Sequence, residues 1–329
     1  MPGSLAASPI RPREGFPAAT LPAAIFLVLA LLPVVTSITG GSYLMSLGSR
    51  VMIFAIAAVA LDLLLGYAAL ISFGHAAYIG LGAYAVGILA AYGLTDALVS
   101  LPVALGVCAA YAFLTGLVCL RTKGVYFIMI TLAFGQMAFF TASSLAPFGG
   151  DDGLTIAARN TLAGFPILRN ERVFYYVVFV CLVGTYLFCR ALVASRFGRV
   201  VRAAKENPVR MSTLGFDVYR FQLATYVIAG ALAGLSGFLL ANAAEFVSPA
   251  YMSWQRSGEL IVMVLLGGLG SLDGAVIGAA AYLLTEEWLS AFTENWKVIF
   301  GPVLVLIVLF ARGGLLGLTS ALARRFVRG

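Results

Sequence analysis

The chain has 329 residues, 61% of them hydrophobic and 11% charged, with a mean hydropathy of +1.00, whereas an ordinary soluble domain is about half apolar and about a quarter charged. Its 21 Lys plus Arg and 14 Asp plus Glu are too few to cover a globule of this size, though enough for the aqueous loops of a chain held mostly in lipid, so a soluble fold is excluded. The net charge of +7 is what basic loops retained in the cytoplasm produce and does not point to nucleic acid.

Residues 1–18, rich in Pro, Gly and Ala, read as a disordered cytoplasmic lead carrying Arg11 and Arg13. Pro22 and Pro33 in the apolar run that follows, and the lack of a small-x-small cleavage site after it, argue against a secretory signal. A helix needs about 20 apolar residues to cross about 30 Å of hydrocarbon. Runs of that kind occupy residues 19–38, 44–66, 69–92, 97–119, 124–147, 172–194 and 221–244. The stretch 257–289 is interrupted by Gly267-Gly268-Leu269-Gly270-Ser271-Leu272-Asp273-Gly274, and a final run covers 296–311.

Charge placement decides how to count that stretch. As one span it would put the tail bearing Arg324, Arg325 and Arg328 opposite the most basic loop, 195–220, against the tendency of Lys and Arg to stay in the cytoplasm. As two short elements it gathers every basic cluster on one side, leaving only Arg50, Arg159, Arg169, Arg172, Arg256 and Lys297 outside. A re-entrant hairpin turning at 267–274 has the same parity. The expectation is an all-α, polytopic transmembrane helical bundle of about ten membrane elements. Its transmembrane domain covers 19–312, with an outside loop at 148–171, and a basic tail at 313–329 places both termini in the cytoplasm.

Little in the chain suggests chemistry. There is no GxxxxGK[ST] phosphate loop, so ATP would have to be held by another subunit. Cys108, Cys119, Cys181 and Cys189 fall in apolar runs, and His75, the single histidine, cannot build a metal site alone. Ser72 and His75 share a helix face, but that spacing is common and no third catalytic group joins them. The expectation is no catalytic residue, no metal and no cofactor. The glycine pairs Gly230/Gly234 and Gly274/Gly278 have the spacing that lets membrane helices approach closely.

The loop at 195–220 is the most informative segment. Residues 198–206 suit a short helix, Pro208 can open a second, and Gly215 can end it in a left-handed conformation. Val209, Met211, Leu214 and Phe216 would give the second helix apolar side chains to bury. A loop that only touched lipid phosphates through its arginines would need neither the punctuation nor these side chains.

At this point a resemblance emerges. RAAKENPVRMSTLGFDVYRFQLATYVIAGALAGLSGFL, beginning at Arg202, resembles the coupling loop and following span of bacterial ABC importer permeases of the branched-chain amino acid (LivM-type) family. LDLLLGYAALISFGHAAYIGLGAYAVGIL at 61–89, RTKGVYFIMITLAFGQ at 121–136, GGDDGLT at 149–155 and VMVLLGGLGSLDGAVIGA at 262–279 follow in the same order, so the resemblance spans roughly residues 50–315. It implies that Arg202, Ala203, Ala204, Glu206, Asn207 and Gly215 belong to a short helix-turn seated in an ATPase groove. Pro208 departs from the helix-favouring residues of the family pattern. The implied partners are ABC ATPase subunits that bind the ATP, a second related permease, a periplasmic substrate-binding protein and the lipid bilayer of a bacterial inner membrane.

Polar residues inside spans are costly and therefore informative. Asp62, Ser72, His75, Thr131, Gln136, Asn242, Glu245 and Glu259 lie within or at the edges of spans. His75, Thr131, Gln136, Asn242 and Glu245 are the candidates for a translocation path, although a lone helix His is more often a packing residue. Asp62 suits a structural hydrogen bond near the inner end of its span, and one of Glu245 and Glu259 can simply pair with Arg256. Asp151 and Asp152, beside glycines in the outside loop, suit either a docking surface for the binding protein or a solvated turn. They lack the twelve-residue calcium pattern. Within the family, urea, short amides or other amino acids stand as alternative cargoes. An ion-coupled secondary carrier, using Asp62 and Glu245, is the alternative from another class, and a purely structural membrane scaffold a third.

Overall fold

The computed structural model describes residues 20–39, 42–292, 295, 297–298, 300–302 and 314–317. The lead 1–18, most of the run 296–311 and the tail residues Arg324, Arg325 and Arg328 lie outside the described residues.

Helices α1 (Thr20–Thr39), α2 (Ser42–Asp62), α3 (His75–Ala91), α4 (Ala97–Cys119), α5 (Val125–Ser144) and α6 (Glu171–Ala194) are followed by two short helices, α7 (Arg196–Glu206) and α8 (Pro208–Thr213). Then come α9 (Val218–Ala244), α10 (Trp254–Gly267) and α11 (Leu272–Ser290). Two short strands, β1 (Leu154–Thr155) and β2 (Phe246–Val247), pair antiparallel across the loops after α5 and α9. Among the described residues five helices are long and apolar enough to span a bilayer, or six when α10 and α11 count as one broken span.

Helix starts follow capping chemistry. Asp96, Asn170, Ser195, Asn207, Asp217, Ser253 and Ser271 each turn a side-chain oxygen onto a backbone N–H of the helix they open. These oxygens satisfy N–H groups that a helix start leaves without an intrahelical partner.

Helix α2 is the central element. From Met52 to Leu64 every side chain is buried, many of them alanine, as expected of a helix apolar all round and packed on every side. Around it lie α6, α9, α10 and α11. Small residues set the closest approaches: a Cβ on Gly82 would overlap the Gly234 carbonyl, one on Gly237 the Ile79 carbonyl, and one on Gly278 the Met263 carbonyl. On α4, α5 and α6 large apolar side chains such as Leu114, Met129, Phe140 and Val180 face outward, as a lipid-contacting surface requires.

Two expectations are sharpened. The third apolar run, read as 69–92, becomes helical only at His75. Leu63–Tyr67 close α2 as a π turn, Ala69 takes a positive φ of 56°, and Gly74 caps α3. The stretch at 257–289 is not a straight helix, because α10 and α11 meet at 117° across the glycine-rich turn. The α11 helix then runs antiparallel to α2 along its length. Near its start Gly270 N–H donates to Asp62 Oδ1 at 2.9 Å; near its end Glu286 pairs with Arg50 and Glu287 accepts from Tyr43.

Candidate functional site

The α7–α8 element forms one end of the bundle. The chain turns out of α6 at Ser195, and in the first turn of α7 a Cβ on Gly198 would overlap the carbonyls of Leu192 and Val193, so only glycine lets α7 fold back so tightly. Along α7, Val201 and Ala204 are buried, Ala203 is half-buried, and Arg202, Glu206 and Asn207 are exposed. Arg202 is held by the Val193 carbonyl at 3.1 Å.

Asn207 is extended, and its Oδ1 accepts from Arg210 N–H at 2.9 Å, so it caps α8 while Pro208 occupies the first helical position, where no N–H is needed. At the far end Phe216 N–H bonds to Met211 O and Gly215 N–H to Ser212 O, with Gly215 at φ 85°. That pair of bonds closes the helix in a Schellman motif. The rings of Phe197, Phe216 and Phe221 pack in succession and fasten the element to α9.

Of the four apolar side chains expected to be buried, only Met211 is. Val209 is 70% and Leu214 64% exposed, and Phe216 is also exposed. A six-residue helix therefore presents an apolar tip, Val209 and Leu214, with the exposed Arg210 on the same helix.

The translocation-path candidates fall into two groups. His75, Thr131 and Gln136 lie around the start of α3 and the middle of α5. His75 is fully buried against the Tyr78 ring, and neither ring nitrogen has a partner among the described residues. Thr131 Oγ1 accepts from Phe73 N–H at 3.2 Å and donates to Ile128 O at 2.9 Å, which satisfies the irregular backbone before α3. Gln136 is half-buried, next to Gly135, which packs against Gly74.

Asn242 and Glu245 stand at the other end, where α9 finishes. Asn242 Oδ1 accepts from Asn160 N–H at 2.9 Å, its carbonyl accepts from Arg159 Nε at 3.1 Å, and Arg159 also pairs with Glu245 at 3.5 Å. Arg159 lies over the Phe174 ring, and Asn160 donates to Ser100. These contacts, with Ile156 N–H on Glu245 O and Thr161 bonded to Thr95 and Ala97, strap the 148–171 loop across the ends of α3, α4 and α9. Arg159 and Asn160 were not singled out from sequence, because a loop residue whose partners lie 82 or 83 positions away leaves no local pattern.

Asp151 and Asp152 are exposed in a single 3₁₀ turn between the left-handed Gly149 and Gly153. No group of three His, Cys, Asp or Glu side chains suited to a metal gathers among the described residues. Glu259 is held by Arg256 at 2.6 Å and Lys297 at 3.1 Å.

A family profile described as branched-chain amino acid transport system / permease component matches residues 43–309, from α2 to beyond α11. The chain belongs to that permease family. Similar proteins include the high-affinity branched-chain amino acid transport system permease protein LivM of Salmonella typhimurium, 28% identical over 83% of this chain and 70% of that protein. LivM of Escherichia coli K12 is 28% identical over 82% of this chain and 68% of that protein. LivH of the same strain is 31% identical over 46% of this chain and 48% of that protein. No solved structure matches. The permease match takes in the strapped 148–171 loop, the α7–α8 element and the α10–α11 turn, and with five or six helices among the described residues long and apolar enough to span a bilayer, the chain is a multi-pass membrane permease.

Proposed function

We propose that this chain is the membrane-spanning permease subunit of an ATP-driven importer of branched-chain amino acids in a bacterial inner membrane, with both termini in the cytoplasm. A periplasmic binding protein delivers the cargo, a second related permease completes the pore, and separate ATPase subunits bind the ATP and seat on the 195–220 loop. The permease itself carries no cofactor. The transmembrane domain is 19–312. The observation that carries the reading is the exposed apolar tip of α8. A helix capped by Asn207 and closed at Gly215, with Val209 and Leu214 held out in water, is built for a complementary groove, since burying such a side chain is worth about 1.5–3 kcal/mol. The relatives' printed names support the cargo.

The fold also argues against an ion-coupled carrier working alone. Its two candidate carboxylates sit at opposite ends of the bundle: Asp62 beside the α10–α11 turn, and Glu245 at the far end of the 27-residue α9. At 1.5 Å per residue that helix alone is about 40 Å long, too far for one coupling site.

The deciding experiment is co-purification with reconstituted uptake. Gly215→Arg and Leu214→Asp should leave the permease in the membrane at normal abundance while abolishing capture of the ATPase. Uptake by the unaltered complex should require both the ATPase and the binding protein. Normal ATPase capture by both variants, or uptake without an ATPase, would end this reading. In the same system alanine at His75, Thr131, Gln136, Asn242 or Glu245 tests the path, and Asp151→Asn with Asp152→Asn tests docking of the binding protein. Path variants should lower uptake without altering cargo affinity of the binding protein.

A further inference from the structure

Three separate elements meet at the cytoplasmic end of α2. Lys205 of α7 donates through Nζ to the Gly66 carbonyl at 2.7 Å. One helical turn earlier, the fully buried Asp62 accepts from Gly270 N–H at 2.9 Å through Oδ1, while its Oδ2 has no partner among the described residues. A Cβ on Gly66 would overlap both the Asp62 carboxylate and the Gly270 backbone, so α2 and the α10–α11 turn touch without an intervening side chain. The Leu63–Tyr67 segment is a π turn, a form that frees carbonyls from the regular ladder and is found often at functional positions. From Gly270 the chain enters α11, whose first turn carries Asp273, bonded by the Tyr186 hydroxyl of α6 at 2.5 Å.

A purely structural reading has Lys205 as a cation at the negative end of α2, a modest stabiliser. It leaves Asp62 unexplained. A buried carboxylate with one unpartnered oxygen is costly in a membrane protein, and an asparagine would accept the same Gly270 bond without a charge. The carboxylate lies one turn from the Gly66 carbonyl that Lys205 holds. Both bonds join residues far apart in sequence, 139 and 208 positions. They form a continuous path from the docking element to the hairpin whose other end carries the Arg50–Glu286 ion pair and the Tyr43–Glu287 hydrogen bond.

We propose that Lys205, Gly66, Asp62 and Gly270 form the joint through which movement of the α7–α8 element repositions the α10–α11 hairpin, with Lys205 and Asp62 as positioning residues for transport. The proposal rests on the reading of 195–220 as the ATPase seat and adds to it a route into the membrane. When the ATPase moves α7, the Lys205 ammonium draws on the end of α2 or releases it. The Asp62 carboxylate passes that displacement to Gly270 and hence to α11.

The test uses the complete complex in proteoliposomes and follows ATPase capture, ATP hydrolysis and uptake together. Lys205→Met keeps the aliphatic stem and removes the donor. Capture and hydrolysis should be unchanged while uptake per ATP falls about tenfold or more, within the range of ordinary coupling between sites. Lys205→Arg restores a donor and should recover most of the uptake. Asp62→Asn keeps the Gly270 bond but not the charge and should behave as Lys205→Met does. The double variant should be no worse than either single one, because both interrupt one path.

Unchanged uptake per ATP in Lys205→Met overturns the joint even if Asp62→Asn fails to fold, since Lys205 sits on the exposed element. Loss of ATPase capture in Lys205→Met overturns it too, by making Lys205 part of the seat. The seat itself fails separately, when Gly215→Arg still captures the ATPase.

Discussion

Gly237 and Gly184 both lie in apolar helices, and residue type alone does not separate them. A Cβ on Gly237 would overlap the Ile79 carbonyl across the α3–α9 contact, whereas one on Gly184 of α6 meets nothing within 4 Å. Gly237→Ala should therefore destabilise the protein by about 1–3 kcal/mol, as forced overpacking does. Gly184→Ala should be neutral or stabilising, by up to about 1 kcal/mol from helix propensity. Thermal unfolding in detergent gives the order, and a lower melting temperature for Gly184→Ala than for Gly237→Ala would contradict it.

Asn242 poses a sharper case, because it looks like a path residue and is also the buried acceptor for Asn160 N–H. Asn242→Leu leaves that donor unpaired at a cost of about 1–3 kcal/mol. The strap should loosen, seen as faster protease nicking within 155–165. Asn242 and Thr131 show what sequence could convey at this scale. That they were polar within a span was plain. Whether they bind cargo or satisfy a neighbour's backbone depends on contacts with Asn160 and Phe73, which no local pattern encodes.

The α8 helix was the most legible element, because each of its boundaries has a local chemical cause. Asn207 caps, Pro208 starts and Gly215 ends it, all within one short stretch. The departure at Pro208 fits without strain, since a first helical position asks nothing of its nitrogen. What the sequence did not convey was the fate of Val209 and Leu214. Apolar residues at helical spacing read as buried, and only the three-dimensional placement shows that nothing among the described residues covers them. The left-handed Gly215 gives a graded test. Gly215→Asn, which tolerates that conformation, should keep most of the ATPase capture, and Gly215→Val should lose it, because a β-branched residue at φ 85° is strained. Equal capture by both variants would show that the conformation does not matter to docking.

At the scale of the whole molecule, one structural axis orders the charges. Arg50, Arg256 and Lys297, placed outside from sequence, are joined with Glu259, Glu286, Glu287 and Tyr43 by ion pairs or hydrogen bonds around the start of α2 and the end of α11. Lys205 and the basic α7 lie at the other end, against Gly66. The α11 helix connects the two. Its 19 residues give about 28 Å at 1.5 Å per residue, close to the hydrocarbon thickness. The 117° turn at 267–274 then sits on the same side as the 195–220 loop, which the proposed reading makes cytoplasmic, and the Trp288–Phe292 aromatic pair lies at the opposite end. Cysteine labelling examines this directly. Cys108, Cys119 and Cys189 are buried and Cys181 lies partly buried in a span, so the native background is low. In intact cells a membrane-impermeant maleimide should label Phe292→Cys, which is exposed, and spare Leu269→Cys, and in inside-out vesicles the pattern should reverse. Labelling of Leu269→Cys from outside would place the turn on the wrong face and detach the hairpin from Lys205. With it would go the charge-based choice of two elements over one.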